Sequence, residues 1–113
     1  KALSEIRIIL RTLGGSEDTL FLACGFGDFC LTSLNDLSRN RTLGLFIGKG
    51  FFTEDCKSNG VMLEGLVSLD VFRQIFIENT EMDSLPIFKK LYNFFASEKK
   101  DFIMDFEEIL VNI

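Results

Sequence analysis

Two glycine-rich turns are the first places at which this sequence could bind a phosphate group. Gly48-Lys49-Gly50 puts a cation beside flexible backbone, and Gly25-Phe26-Gly27 has the opening spacing of a dinucleotide-binding turn. A phosphate-binding loop needs a Ser or Thr after its lysine, and Gly50 stands there instead. The second motif lacks its third glycine. We therefore expect both segments to be simple turns, the second within a β-hairpin.

The remaining reactive side chains form no complete catalytic set. The chain has no His, which removes the usual general base and the commonest metal ligand. Without that base Cys24 and Cys30 are expected to be reduced thiols that pack as small apolar residues. Carboxylates near the end of the sequence could hold a cation, but a solvated acidic face is favoured because no glycine-bent loop accompanies them. They are Asp101, Asp105, Glu107 and Glu108. The residues alone predict no enzyme activity, no metal and no cofactor.

Charge is distributed unevenly along the 113 residues, whose net charge is −5. Residues 1–50 carry a net charge of +1 and residues 51–113 a net charge of −6. A face that meets a polyanion would therefore be built from the first half, although a solvated mixture of charges is favoured. Its candidate cations are Arg7, Arg11, Arg39, Arg41 and Lys49. Arg7 and Arg11 are four residues apart, so they project side by side from a helix.

The apolar residues indicate one domain covering residues 1–113. The 13 Phe residues are more than one small core usually needs. The pairs Phe51-Phe52 and Phe94-Phe95 would form a protein interface if exposed, whereas a Phe-built core is the favoured alternative. No uninterrupted apolar run reaches the roughly 18 residues of a membrane-spanning helix. We expect no membrane contact.

The elements that position these residues are predicted to form an α+β domain, an antiparallel strand meander with two or three helices. Apolar spacing predicts a helix over residues 3–13 that ends at Gly14-Gly15. Short apolar runs predict strands over residues 19–24, 29–34, 42–47 and 61–67. Helices are predicted after the N-cap Ser68 as far as Ile77, and over residues 87–95 behind Pro86. Residues 101–113 fit a helix or the start of a strand.

The stretch from Glu17 to Phe52 resembles the first domain of the DNA-damage checkpoint sliding clamp family, the radiation-sensitivity subunit of the 9-1-1-type heterotrimer. The residues that carry the resemblance are Leu20-Phe21-Leu22, Leu31-Thr32-Ser33-Leu34-Asn35, Ser38-Arg39, Leu45-Phe46-Ile47, Phe51-Phe52 and Val67-Ser68-Leu69-Asp70-Val71-Phe72-Arg73. The resemblance implies a helix-lined channel in which Arg7, Arg11 and Arg73 face the phosphates of double-stranded DNA. It also implies two further clamp subunits, a nuclear location and a scaffold role without catalysis. Under this interpretation residues 1–113 are a fragment of a two-domain clamp subunit.

A second family offers the alternative. A roadblock or longin type module is a small cytoplasmic α/β platform that dimerises and binds small GTPases. Phe51, Phe52, Phe94 and Phe95 would then form the protein interface, and Arg7 and Arg11 would be solvated. Ring formation or its absence distinguishes the two interpretations.

Overall fold

A computed structural model describes residues 1–51, 64–78, 82–97, 103 and 105–110, without the side chains of residues 64, 78 and 108. These residues form α-helices joined by tight helical turns. The first half contains α1 (Ala2–Thr12), a 3-10 turn (Glu17–Phe21), a π-helical turn (Ala23–Gly27), α2 (Asp28–Leu34) and α3 (Arg39–Gly48). The second half contains α4 (Glu64–Glu78), a 3-10 turn (Met82–Ser84), α5 (Pro86–Ala96) and α6 (Phe106–Leu110).

The predicted α+β class is wrong, since the described residues contain no strand. The three runs read as strands over residues 19–24, 29–34 and 42–47 lie in the 3-10 and π-helical turns, in α2 and in α3. Short apolar runs do not distinguish a strand from a helix, and local capping decides here. The hydroxyl of Ser38 accepts a hydrogen bond from the N–H of Arg41 at 3.3 Å and so begins α3.

Three of the predicted helices are confirmed. The helix expected over residues 3–13 is α1, and the helix expected over residues 87–95 is α5, with Pro86 in its first turn. The helix expected to end at Ile77 is α4, which begins earlier than predicted and includes residues 64–67 of the expected fourth strand. For residues 101–113 a helix or the start of a strand was predicted, and α6 is the helix of that pair. Most of the other residues of this segment lie outside the described residues.

Two apolar clusters hold these helices together. The larger one contains Phe76 of α4, Leu85 just before α5 and Phe88 within α5, and Ile8 and Ile9 of α1 pack against it. The rings of Phe76 and Phe88 meet edge to face, with centroids 5.9 Å apart. The second cluster contains Leu43, Ile47 and Phe94, and so joins α3 to α5. Both α4 and α5 contribute to the two clusters, since Leu66 of α4 packs against the second one.

A buried carboxylate joins α1 to the beginning of α5. Glu5 is 3% exposed, and its two oxygens accept hydrogen bonds from the N–H groups of Ile87 at 2.9 Å and Phe88 at 3.0 Å. The helix needs this acceptor because Leu85 at its N-cap offers no side-chain hydrogen bond. A negative charge at the positive end of a helix is also favourable. Glu5 therefore caps α5 from a different helix.

Glu5→Ala is expected to lower the free energy of unfolding by about 1–3 kcal/mol, because it leaves two N–H groups of α5 without an acceptor. The control is Glu17→Ala, which removes the ion pairs of Glu17 with the exposed side chains of Arg7 and Arg11 and should cost at most about 1 kcal/mol. Urea unfolding followed by circular dichroism measures both. Equal losses in the two variants would contradict the capping role.

Lys89 holds the pKa of Asp83 below its ordinary value of 3.8, first through a hydrogen bond from Nζ to Oδ1 at 2.6 Å and second through its charge. A carboxyl group whose pKa is lower in the folded state than in the unfolded state stabilises the fold. This stabilisation is complete above the unfolded-state pKa and is lost as the pH falls through the folded-state pKa. Lys89→Met should therefore lower the free energy of unfolding at pH 7. It should not lower it at a pH well below the ordinary pKa of Asp83, where the carboxyl is protonated in both states.

Unfolding curves of Lys89→Met and wild type across this pH range test the pair. Lys49→Met, which removes an exposed lysine at the end of α3, is the control. A loss of stability in Lys89→Met that stays constant as the pH falls would show that the pair with Asp83 does not cause it.

Candidate ligand-binding pocket

A cavity of about 520 Å³ lies between α1, the π-helical turn, α2 and the start of α3. Ile6 of α1 and Leu20 of the first 3-10 turn contribute apolar side chains. The lining residues with side-chain hydrogen-bonding groups are Asp28, Thr32, Ser33, Ser38, Asn40 and Arg41. A carboxylate, hydroxyls, an amide and a guanidinium on one side of an otherwise apolar cavity suit a small polar ligand. We call this cavity the α2–α3 pocket.

The polar side of α2 forms one wall of this pocket. Asp28 and Thr32 are four residues apart, which places them on the same side of the helix. Both are exposed, so their oxygens are available to a ligand. The hydroxyl of Ser33 donates to the carbonyl of Cys30 at 3.0 Å, which leaves the oxygen of Ser33 as an acceptor. The wall therefore presents one carboxylate and one hydroxyl that the described hydrogen bonds leave available.

The corner between α2 and α3 is fixed by short hydrogen bonds. The side-chain oxygen of Asn35 accepts from the N–H of Leu37 at 2.9 Å, which forms an Asx turn. Ser38 then caps α3, and the hydroxyl of Thr42 donates to the Ser38 carbonyl at 3.0 Å. These contacts set the direction in which α3 enters the pocket wall.

Arg41 connects the two helices across this corner. Its Nε donates to the carbonyl of Ser33 at 3.0 Å, and its Nη1 forms an ion pair with Asp36. Arg39 and Arg41 both lie in the first turn of α3, which contains no acidic residue. Cations at the positive end of a helix are unfavourable. The groups at this end of the pocket that can bind an anion are the backbone N–H groups at the start of α3 and the Arg41 guanidinium, which also pairs with Asp36.

The floor of the pocket requires glycine at position 25. A Cβ atom built there would lie 2.5 Å from the carbonyl oxygen of Leu20 and 2.6 Å from that of Thr19. Both obstacles are backbone atoms, so no side-chain rotation relieves the contact. Gly25 is needed because the π-helical turn passes directly against the preceding 3-10 turn.

Gly25→Ala is expected to destabilise the chain by about 1–3 kcal/mol, because the two turns must separate to admit the methyl group. Gly27→Ala in the same π-helical turn is the matched control, since its Cβ would meet only the Cβ of Ala23 at 3.9 Å. That control should be neutral or slightly stabilising. Thermal unfolding of the two variants measures the difference, and similar midpoints would show that the close approach at position 25 does not constrain the fold.

The arginines predicted to face DNA have protein partners. Arg7 Nε lies 2.9 Å from Glu17 Oε2, and Arg11 Nη1 lies 3.8 Å from Glu17 Oε1. The Arg73 guanidinium stacks over the ring of Tyr92 at 4.6 Å. None of the three lines the α2–α3 pocket. That these arginines face a ligand stays a prediction.

The paired phenylalanines have different environments. Phe94 is 8% exposed and belongs to the cluster with Leu43 and Ile47, and the partly buried Phe95 packs against it. These two residues are part of the core, which the sequence favoured over an interface. Phe51 is 63% exposed, so its interface role stays a prediction, and Phe52 lies outside the described residues.

Of the other reactive groups, Cys24 is exposed and lines the pocket, and Cys30 is partly buried. Asp105 and Glu107 are exposed, while Asp101 and the side chain of Glu108 lie outside the described residues. Within the part of the chain that the structure describes, no helix is long and apolar enough for a membrane span.

A family profile decides where the chain belongs. The profile described as "Bacterial GPD, NAD-dependent C-terminal" matches residues 24–91, which include every polar residue of the α2–α3 pocket. The chain belongs to this family, the C-terminal domain of bacterial NAD-dependent glycerol-3-phosphate dehydrogenase. No solved structure shows significant similarity to it.

Curated relatives of the chain are themselves named glycerol-3-phosphate dehydrogenases. The relative from Methanothermobacter thermautotrophicus is 41% identical over 90 residues, which cover 78% of this chain and 25% of that protein. The relative from Clostridium botulinum strain Eklund 17B is 33% identical over 98% of this chain and 33% of its own length. A glycosomal relative from Trypanosoma brucei rhodesiense is 33% identical over 82% and 26% respectively. The chain thus spans a quarter to a third of these relatives.

These matches overturn the functional expectations drawn from the sequence. The resemblance to checkpoint clamps is wrong, and so are the heterotrimeric ring, the DNA partner and the checkpoint role that it implied. The roadblock or longin alternative is also unsupported, because the relatives are oxidoreductases. The expectation of a non-enzyme is wrong for the same reason. The extent of the domain and its nuclear or cytoplasmic location stay predictions.

The α2–α3 pocket was not predicted from the sequence because the residues of α2 were assigned to a strand. In a strand every second side chain lies on the same face, so Asp28 and Thr32 would share a face with Cys30. Such a face is not uniformly polar and does not predict a polar pocket wall. The informative signal was helical spacing, with polar residues at 28 and 32 and leucines at 31 and 34. Ser38 before an Arg-Asn-Arg run was the second signal, since it marks a helix N-terminus rich in cations.

Proposed function

We propose that this chain supplies the substrate-binding pocket of an NAD-dependent glycerol-3-phosphate dehydrogenase. The observation that carries the proposal is the coincidence of the family match with the α2–α3 pocket. Residues 24–91 match the family, and the polar pocket wall from Asp28 to Arg41 lies wholly within them. The named substrate of the relatives has hydroxyl groups at one end and a phosphate at the other. The pocket offers groups for both.

The phosphate end of the substrate fits the start of α3. A phosphate monoester carries up to two negative charges, and the first turn of α3 combines backbone N–H groups with Arg39 and Arg41. Arg41 lines the pocket and already pairs with Asp36, so a bound phosphate would be a second anionic partner of the same guanidinium group. Asn40, which also lines the pocket, can donate through its amide.

The hydroxyl end fits the wall formed by α2. The carboxylate of Asp28 accepts a hydrogen bond from a substrate hydroxyl, and the hydroxyl of Thr32 can donate or accept one. These two side chains orient the carbon that is oxidised relative to the phosphate held at α3. Orientation of this kind is a large part of what a binding domain contributes to a reaction.

The dinucleotide cofactor is not assigned to the described residues. A dinucleotide-binding turn joins a strand to a helix and carries three glycines. Gly25-Phe26-Gly27 instead forms a π-helical turn without the third glycine, and no strand occurs in the described ranges. These residues do not fit the pyrophosphate, so the role proposed for this chain is confined to the substrate.

Steady-state kinetics of the protein at its native length test this proposal. Reduction of NAD⁺ with glycerol 3-phosphate is expected for the wild type. Asp28→Asn should lower kcat/KM about 10- to 100-fold, because it removes a charged hydrogen-bond acceptor worth about 1.5–3 kcal/mol. Thr32→Val should cost only about 3- to 10-fold, since its hydrogen bond is neutral.

The matched control is Asp18→Asn, which neutralises an exposed carboxylate outside the pocket and should keep wild-type kinetics. Circular dichroism of each variant shows that it is folded. A wild type that does not reduce NAD⁺ with this substrate would refute the proposed activity. A loss in Asp28→Asn no larger than in Asp18→Asn would refute the assignment of the pocket.

A further inference from the structure

The guanidinium group of Arg41 is bound by the protein through two of its nitrogens. Nε donates a hydrogen bond to the carbonyl oxygen of Ser33 at 3.0 Å, and Nη1 donates one to Oδ1 of Asp36. Ser33 lies in the last turn of α2, where the carbonyl groups carry the negative end of the helix dipole. The third nitrogen, Nη2, is the one that these two hydrogen bonds leave available to a ligand.

These two contacts restrict how Arg41 can hold an anion. A guanidinium group binds a carboxylate or a phosphate most strongly when two of its nitrogens donate in parallel to two oxygens. The pairs of nitrogens with this geometry are Nε with Nη2, and Nη1 with Nη2. Each pair already contains one nitrogen that is bonded to the protein. While both contacts persist, an anion therefore has one unengaged nitrogen of Arg41 to bind.

The two partners of Arg41 differ in how firmly they are held. The Ser33 carbonyl belongs to the main chain of α2 and cannot move without the helix. The side chain of Asp36 is 89% exposed, against 33% for Arg41. Ion pairs that water can reach are weak, so the Asp36 carboxylate is the partner that an incoming anion can displace.

The turn between α2 and α3 keeps Asp36 beside Arg41. The side-chain oxygen of Asn35 accepts from the N–H of Leu37, and the Asn35 carbonyl accepts from the N–H of Ser38 at 3.1 Å. Both hydrogen bonds span position 36 and fix its backbone. Asp36 is not among the residues that line the pocket. Its carboxylate is thus tethered outside the cavity and returns to Arg41 at a high effective concentration.

We propose that Asp36 is an internal competitor for a phosphate group at Arg41 and so lowers the affinity of the α2–α3 pocket for anions. A phosphate that binds through Nη1 and Nη2 must displace the carboxylate, and one that does not is held by a single nitrogen. Asp36 acts through Arg41 and is a positioning residue. The inference rests on the phosphate site proposed above at the start of α3, and it does not depend on the oxidation of the substrate.

This competition favours ligands that bind at both ends of the pocket. Free phosphate has only the contacts at the start of α3 to offset the loss of the ion pair between Asp36 and Arg41. A ligand that also bonds to Asp28 and Thr32 gains contacts that Asp36 does not weaken. Asp36 thereby limits the occupation of the pocket by free phosphate.

Isothermal titration calorimetry of the native-length protein with inorganic phosphate, at constant ionic strength, tests the proposal. Asp36→Asn keeps the shape of the side chain and removes its charge. This variant should bind phosphate about 2- to 5-fold more tightly than the wild type, the change expected when one exposed ion pair no longer competes. Asp36→Glu restores the charge and should bind phosphate as the wild type does. Damage to the fold would weaken binding, so it cannot produce the expected gain.

Two further comparisons show whether Asp36 acts through Arg41. Asp18→Asn removes an exposed carboxylate outside the pocket and controls for the change in net charge. It should leave the phosphate affinity at the wild-type value. Addition of Asp36→Asn to Arg41→Met should also leave the affinity unchanged, because the group for which Asp36 competes is gone. Circular dichroism shows that each variant is folded.

Unchanged or weaker phosphate binding by Asp36→Asn would overturn the proposal. So would an equal gain in Asp18→Asn or a gain that persists without Arg41, since either would indicate a general effect of charge. The absence of phosphate binding in both the wild type and Asp36→Asn would overturn it as well. The titration needs no turnover, so a protein that shows the expected gain but does not reduce NAD⁺ contradicts the proposed activity alone.

Discussion

The contact between the Glu5 carboxylate and the first turn of α5 is the constraint on which the rest of the fold depends. Pro86 has no N–H, and the two N–H groups that follow it find their acceptor on α1, more than 80 residues away in sequence. The contact fixes α1 against the start of α5, with Ile8 and Ile9 on the larger apolar cluster. Ile6 of the same helix then lines the α2–α3 pocket. One buried charge thereby positions both the core and the pocket wall.

The sequence predicted the helices that carry a clear local signal. Apolar residues spaced three and four apart marked α1, and Pro86 marked the start of α5, so both were located correctly. The helical structure of residues 19–34 was not predicted, because runs of four to six apolar residues are too short to show a helical or a strand period. The compact turns of these residues are possible because Gly25 has no Cβ that would meet the carbonyl of Leu20. Such a contact belongs to the folded chain and leaves no pattern in the sequence.

Only some residues of the α2–α3 pocket could be predicted from the sequence. Arg39 and Arg41 were identified as members of a basic face, and the structure places both in the first turn of α3. Asp28 was not identified, since its meaning depends on the helical assignment of α2. Glu5 was counted only as a charge, because burial is what makes it a cap. Short strand-like motifs also produced a false family resemblance, since strand patterns are shared by many unrelated proteins.

The shortness of α2 links the structure of the pocket to its affinity. Helices of fewer than about 12 residues are marginal in water unless packing supports them, and α2 has seven. The polar wall therefore depends on the π-helical turn that leads into α2 and on the hydrogen bond from Arg41 to the Ser33 carbonyl. If these contacts kept α2 formed for only part of the time, the apparent dissociation constant of a ligand at this wall would rise by the reciprocal of the formed fraction. Substitutions at solvent-facing positions of α2 that change helix propensity alone would consequently alter affinity without touching the ligand.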